Sequence, residues 1–217
     1  MAGIQFDKSP FERYLFIMER DPSIRKIEDT QTLKALAHPL RMDLLEAVTF
    51  SGPLTATEAS EIVGESPANC SWHLRQLAKC GFLEEVPDAK GRQRPWRRIA
   101  GGMQWDDDAD DPEVEDASRA LTEVFVNREV RLIQQAMRRS HPPGWAESLI
   151  ATQSITWLTA DEFEALSADL TEVLMRYRSR AFDPSQRPPD SRPIRLLALG
   201  APDDGLQSSA RTGEHHA

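Results

Sequence analysis

The sequence predicts a mainly α fold carrying a β-hairpin wing, a winged helix-turn-helix, followed by a small C-terminal β-α-β unit. Three observations lead there. Between Leu33 and Ala100, apolar residues recur at helical spacing in short runs punctuated by Pro and Gly. The runs open on residues that cap helix N-termini. They are followed by two short β-type runs joined by a charged turn.

The first helix starts at Asp29 or Thr30 as N-cap and carries Leu33 and Leu36. His38-Pro39 breaks it, because proline disfavours helix in the residue before it yet suits the first turn of a new one. The second helix runs from Pro39 to about Phe50, with Leu40, Leu44, Leu45 and Val48 on one face, and Ser51-Gly52-Pro53 stops it. The third opens with a capping box at Thr55 and Glu58, which satisfies two orphan backbone donors. It turns Ala59, Ile62 and Val63 inward, and Gly64 is placed as a left-handed C-cap. The fourth opens with Ser66 as N-cap and Pro67 at the first helical position, buries Leu74 and Leu77, and ends at Gly81. Phe82–Val86 and Trp96–Ile99 read as strands joined by a turn containing Asp88 and Gly91.

The longest helical pattern spans Val114 to Arg139, and at ~100° per residue its apolar side chains fall on two opposite faces. Ala117, Leu121, Val124, Phe125, Leu132 and Ala136 form one; Val126, Val130, Ile133 and Met137 form the other. A second apolar face needs a cover, and a second copy of the chain is expected there, with the C-terminal segment of the same chain as the alternative. Beyond His141-Pro142-Pro143-Gly144, the region Trp145–Leu158 alternates like a strand, and Thr159–Ala181 reads as a helix with its own capping box at Thr159 and Glu162. Ile194–Leu199 reads as a second strand after a proline-rich linker. The expected organisation is an N-terminal extension (1–28), a winged helix-turn-helix (29–104), a dimerisation helix (112–140), a small α+β unit (144–201) and a disordered tail (202–217). Phe11, Leu15 and Met18 allow a short helix in the extension, with a frayed tail as the alternative.

A hydrophobic content of 40% with 28% charged residues is ordinary for a water-soluble, cytoplasmic protein. No run approaches the ~20 apolar residues of a membrane span, and FERYLFIMER is too short and too charged for a secretory signal. Cys70 and Cys80 lie on one predicted helix with Cα atoms ~15 Å apart, too far to pair with each other. The net charge of −9 argues against a nucleic-acid partner until its distribution is considered. From Ser66 to Ala100 there are seven basic residues against three acidic ones, whereas Asp106–Asp116 holds eight acidic residues and no basic one. The positive potential is therefore concentrated on the fourth helix and the hairpin.

In a helix-turn-helix, the second helix enters the DNA major groove and its N-terminal residues meet base edges. With Leu74 and Leu77 inward, Ala68, Asn69, Ser71, Trp72 and Arg75 fall near its exposed side. Asn69 carries the amide that suits adenine, and Arg75 suits guanine or a phosphate. Ser66 and Ser71 can donate to phosphate oxygens. Lys90, Arg92 and Arg94 lie at or near the hairpin turn, within reach of phosphates or the minor groove. Arg97 and Arg98 point to opposite faces of their strand, so at most one of them faces DNA.

Through LKALAHPLRMDLL and SWHLRQLAKCGFLEE, the segment Leu33–Ala100 resembles the winged-helix domain of ArsR-type bacterial repressors. The resemblance covers roughly a third of the chain. It implies a homodimer on a two-fold symmetric operator, with the helix after the wing as the interface, and so Leu121, Val124, Phe125 and Leu132 as contacts. It also implies that Ser66, Ala68, Asn69, Ser71, His73 and Arg75 lie along the DNA-facing helix. The chain departs from the metal-sensing members: TATEASEIV holds no thiol, and Val114–Arg139 holds no histidine. Metal sensing is disfavoured and no cofactor is called for. His38 and His73 are too far apart in sequence to argue a site.

A small organic effector is expected, if anywhere, in the C-terminal unit, where Trp145, Trp157, Phe163, Tyr177 and Phe182 offer aromatic surface; plain core is the commoner use of such residues. Enzyme activity is not expected. Ser71, Trp72 and His73 are adjacent on a helix and diverge by ~100°, so they cannot act on one another. The rival to DNA binding is a winged helix used for protein–protein contact, its hairpin meeting an acidic partner.

Overall fold

Asp29 opens the first helix, its carboxylate accepting the Thr32 amide at 2.8 Å, so one of the four orphan N–H groups is satisfied by the residue next to the helix. The computed structural model describes residues 24–87, 94–99, 102–105 and 111–203. The expected helix around Phe11–Met18 and most of the tail after residue 201 lie outside them, as do Lys90 and Arg92.

Helix α1 (Thr30–Leu36) gives way at His38, whose backbone is extended, and α2 (Pro39–Ser51) begins with Pro39 in its first turn. Gly52 at φ 85° stops α2, a conformation that only glycine adopts without strain. Helix α3 (Ala56–Val63) carries the full Thr55–Glu58 capping box and ends on Gly64 in the left-handed region. Helix α4 (Pro67–Lys79) is capped by the Ser66 hydroxyl, which accepts the Asn69 amide at 3.2 Å.

The wing pairs β2 (Leu83–Glu85) antiparallel with β3 (Trp96–Arg98), in the register Leu83 to Arg98, Glu84 to Arg97 and Glu85 to Trp96. Leu54, between α2 and α3, adds a bridge to Trp96 through two backbone hydrogen bonds of 3.0 and 2.7 Å. A second small sheet was not foreseen: β1 (Arg25–Lys26) lies parallel to β4 (Met103–Gln104), so the chain before α1 is held beside the chain leaving the wing.

The core runs through all of these elements. Leu33, Leu36, Leu44, Val48, Ala59, Leu74, Leu77, Phe82, Leu83 and Trp96 are buried together, joined by Ala117 and Leu121 from α5 (Pro112–Met137). Each leucine fully withdrawn from water contributes about 1.5–3 kcal/mol. One expected inward residue does not join: Ile62 is 52% exposed. Helix α3 instead meets its neighbours through Ala56, Ala59, Ser60 and Val63, a stripe of mostly small side chains that lets helices approach closely.

The expected β-α-β unit does not form. The helix is present as α6 (Ala160–Met175), with its Thr159–Glu162 capping box, followed by a single turn, α7 (Ser179–Phe182). Neither flanking strand exists among the described residues. Trp145–Leu158 holds only a 3₁₀ turn at Ala146–Ser148, and Ile194–Leu199 has no regular structure. Alternation alone makes no strand without an edge to pair with, and Ile150, Ile155, Trp157, Ile194, Leu196 and Leu199 all remain exposed. Ala168 is the one hydrophobic residue after α5 that is buried among the described residues.

Besides the packing of α7 against α2, ion pairs hold this segment to the body. Arg128 on α5, only 6% exposed, pairs with Asp43 at 2.6 Å, Glu46 at 3.0 Å and Glu129 at 2.6 Å. Arg195 closes the network from the C-terminal segment, reaching Glu46 at 2.5 Å and Glu129 at 2.6 Å. Burial alone would raise the Glu46 carboxyl, but the hydrogen bond from Arg195 and the charges of Arg128 and Arg195 hold it below the ordinary carboxylate range.

Candidate nucleic-acid interface

Helices α3 and α4, joined through Gly64, Glu65 and Ser66, make the helix-turn-helix, and the wing follows α4 directly. Cys70, His73, Leu74 and Leu77 hold α4 against α2 and α3. Its opposite side exposes Ala68, Trp72, Arg75 and Lys79, at spacings of four, three and four residues, which places them along one line of the helix. None of them is acidic. Trp72 is half exposed, and the Arg75 guanidinium is steadied by donating from Nε to the Ser71 carbonyl at 3.1 Å.

The expected contact residues divide. Ser66 and Ala68 are exposed at the start of α4. Asn69 and Ser71 are half-buried at the flanks of the exposed line, and the Asn69 amide donates to Glu65 at 3.1 Å. His73 is a correction: its ring is 5% exposed and packs inward on His38, so it does not face outward with Arg75. The ring centroids of His38 and His73 are 4.5 Å apart, and Trp72 stands edge-on to His73 at 4.6 Å. Burial first, then the charge of Arg41, lowers His38; burial, then His38 and Arg41, lowers His73, with Glu65 acting weakly the other way. Lys79 belongs to the exposed line but was not singled out from sequence; its helical angle relative to Ala68, Trp72 and Arg75 was the available signal.

On the wing, Arg94 is exposed and pairs with Glu85 at 3.2 Å, and Arg97 pairs across the strands with Glu84 at 2.8 Å. Surface pairs of this kind are worth about 0.2–1 kcal/mol, so a phosphate can replace either carboxylate at little cost. Arg98 points the other way and is half-buried, and the loss of solvent around it pushes its pKa down to about 10. Only Arg97 of the two is presented outward, as the alternation required.

Of the expected dimer contacts, Leu121 is a correction. It is 0% exposed, packed into the core of its own chain. Val124, Phe125 and Leu132 are half-buried, with Phe125 edge-on to Trp105 at 5.6 Å. Cys70 is fully covered, and burial followed by the Glu65 charge pushes its thiol up, away from reactivity. The aromatic residues considered for an effector site do not enclose one: Trp157 and Tyr177 stand largely in solvent. Among the described residues no group of three or more His, Cys, Asp or Glu is arranged to hold a metal, and no helix is long and apolar enough to cross a membrane.

Comparison with known proteins bears on the same segment. Residues 36–86 match the helix-turn-helix domain family. No curated protein sequence matches the chain. Among solved structures, the chain is similar to the transcriptional regulator Tm0710 from Thermotoga maritima at 18% identity, over 81% of this chain and 99% of that one, with a TM-score of 0.26. It is similar to MepR, a transcription regulator of the Staphylococcus aureus multidrug efflux pump MepA, at 17% identity over 77% and 88% of the two chains, with a TM-score of 0.24. The domain match over residues 36–86, with the hairpin wing beside it, supports a DNA-binding regulator of transcription.

Proposed function

We propose that this protein is a sequence-specific, double-stranded-DNA-binding transcription regulator working in the cytoplasm, a homodimeric repressor of the ArsR type without a metal switch. The observation that carries the reading is the exposed line Ala68, Trp72, Arg75, Lys79 on a helix whose opposite side is locked into a helix-turn-helix core. Helix α4 enters the major groove; Arg75 addresses a guanine edge or phosphate, and Asn69 exchanges Glu65 for an adenine edge. Ser66 and Ser71 meet phosphates, while Arg94, Lys90 and Arg92 of the wing hold the backbone.

The dimer rests on α5. Its Ala117–Leu121 face is consumed by the chain's own core, so a partner meets the face carrying Val126, Val130, Ile133 and Met137, of which Val130 and Met137 are exposed. The uncovered apolar residues of α6 and the C-terminal segment add to the surface that a second copy would cover.

Equilibrium binding to duplex DNA over a range of salt tests the reading. A steep fall in affinity with salt, and a site-specific term above it, supports DNA recognition. Salt-independent capture of an acidic protein with no duplex affinity supports the protein-contact alternative instead.

A further inference from the structure

A cavity of about 370 Å³ lies where β1, α1, the start of α2 and the C-terminal half of α4 meet. Four of its lining residues are cationic: Arg25, Lys34, Arg41 and Lys79. The others are Gln31, Thr32, Ala35, Gln76 and Cys80, so among the described residues no carboxylate lines it. Its volume is that of a small-molecule site.

The cations are differently committed. Arg25 is fixed: it donates to the Cys80 carbonyl and lies 5.0 Å from the Phe82 ring centroid. Gly81 leaves it room, since a Cβ there would sit 3.1 Å from its Nη1. Lys34 reaches Glu113 at 3.0 Å, an open surface pair that is readily exchanged. Arg41 is the informative one. Its Nε is buried without an acceptor, and its Nη2 makes only a long 3.5 Å contact to the Lys34 carbonyl. An unmatched guanidinium N–H beside three further positive charges is the arrangement an oxyanion completes.

We propose that this cavity binds an oxyanion, the phosphate or carboxylate group of a small anionic effector, with Arg41 and Lys79 as its principal ligands, Arg25 and Lys34 as supporting charges, and Gln76 as a neutral donor. Because Gln76 and Lys79 belong to α4, occupancy would bear directly on the candidate recognition helix. The site does not depend on the DNA-binding reading, and its first test uses no DNA.

The full chain is titrated with pyrophosphate by calorimetry, ionic strength being held constant with sodium chloride. Saturable binding is expected, weakened about tenfold by Lys79→Gln and at least as much by Arg41→Gln, but unchanged by Arg131→Gln, which does not line the cavity. Lys79 is exposed, so its variant keeps the test valid if Arg41→Gln fails to fold. Repeating the titration with duplex DNA bound separates two sources of the same chemistry. Simultaneous binding marks a free effector; mutual displacement, with Lys79→Gln weakening all duplexes equally, marks a backbone phosphate. A non-saturating response, or equal binding by wild type and Lys79→Gln, overturns the proposal.

Discussion

The imidazole of His73 on the candidate recognition helix packs against that of His38, at the junction of α1 and α2, with ring centroids 4.5 Å apart and planes tilted by 44°. Two residues 35 positions apart thus tie the candidate recognition helix to the start of α2. Burial and the charge of Arg41 both disfavour protonating either ring.

Stability should therefore depend on pH around the histidine range. Both folded-state values lie below the ordinary 6.5, so the unfolded chain binds more protons as pH falls through that value. The contribution is fully present above 6.5, declines as pH drops below it, and levels off beneath the folded-state values. Urea unfolding at pH 7.5 and 5.5 should show a lower midpoint at the acid pH, and His73→Phe should flatten the difference. An unchanged midpoint in the wild type contradicts the downward shift of the His38–His73 pair.

Arg128 should be among the most sensitive positions. Its removal leaves Asp43, Glu46 and Glu129 as crowded carboxylates without their central cation. Breaking a buried pair in this way costs about 3–5 kcal/mol, so Arg128→Ala should strongly lower the urea midpoint. Arg195→Ala should cost less and expose the C-terminal segment to protease, because Arg195 is the residue that ties that segment to Glu46 and Glu129. A C-terminal segment equally resistant in both proteins counts against this fastening.

Thr55→Ala removes the hydroxyl that accepts the Glu58 amide at the start of α3. A lost N-cap costs about 0.5–2 kcal/mol. Thermal unfolding should show that loss, with Thr55→Ser recovering most of it.

Leu121 and Val130 lie on the same helix and should separate folding from assembly. Leu121→Ala opens a cavity in the core and should cost about 2–5 kcal/mol, while leaving the proposed dimer of the folded protein intact. Val130→Glu, on the exposed side, should shift sedimentation towards the monomer with little effect on the core. A dimer untouched by Val130→Glu places the interface elsewhere.

Arg75→Ala should remove specific affinity, by about 1–3 kcal/mol if the contact is a bidentate guanine pair. Lys90→Ala should weaken all duplexes alike and reduce the salt dependence, as a phosphate contact does. Equal losses on every sequence for Arg75→Ala contradict its place in the groove.

Helices α1 to α4 were legible in the sequence because their limits are set locally: Asp29, Thr55 and Ser66 cap, Pro39 starts, and Gly52 and Gly64 stop. The wing strands were legible for the same reason. What escaped depends on partners distant along the chain. The β1–β4 pair is two residues long on each side and carries no periodic signal. The network of Asp43, Glu46, Arg128, Glu129 and Arg195 assembles from three separate segments. Ile62 turned outward because Ser60, small enough for a close helix contact, took the inward position. In the site, the exposed flank of α4 followed from helical angle, and the same angle sets His73 inward beside Cys70, Leu74 and Leu77; only the family resemblance placed it on the outward side.

The most direct test is selection of bound fragments from genomic DNA by the full-length protein, followed by footprinting. The account predicts enrichment of a two-fold symmetric sequence protected in two patches one helical turn apart, about 10–10.5 base pairs centre to centre, and loss of that enrichment with Arg75→Ala. Recovery of no preferred sequence, or equal retention of all fragments by wild type and Arg75→Ala, would contradict it.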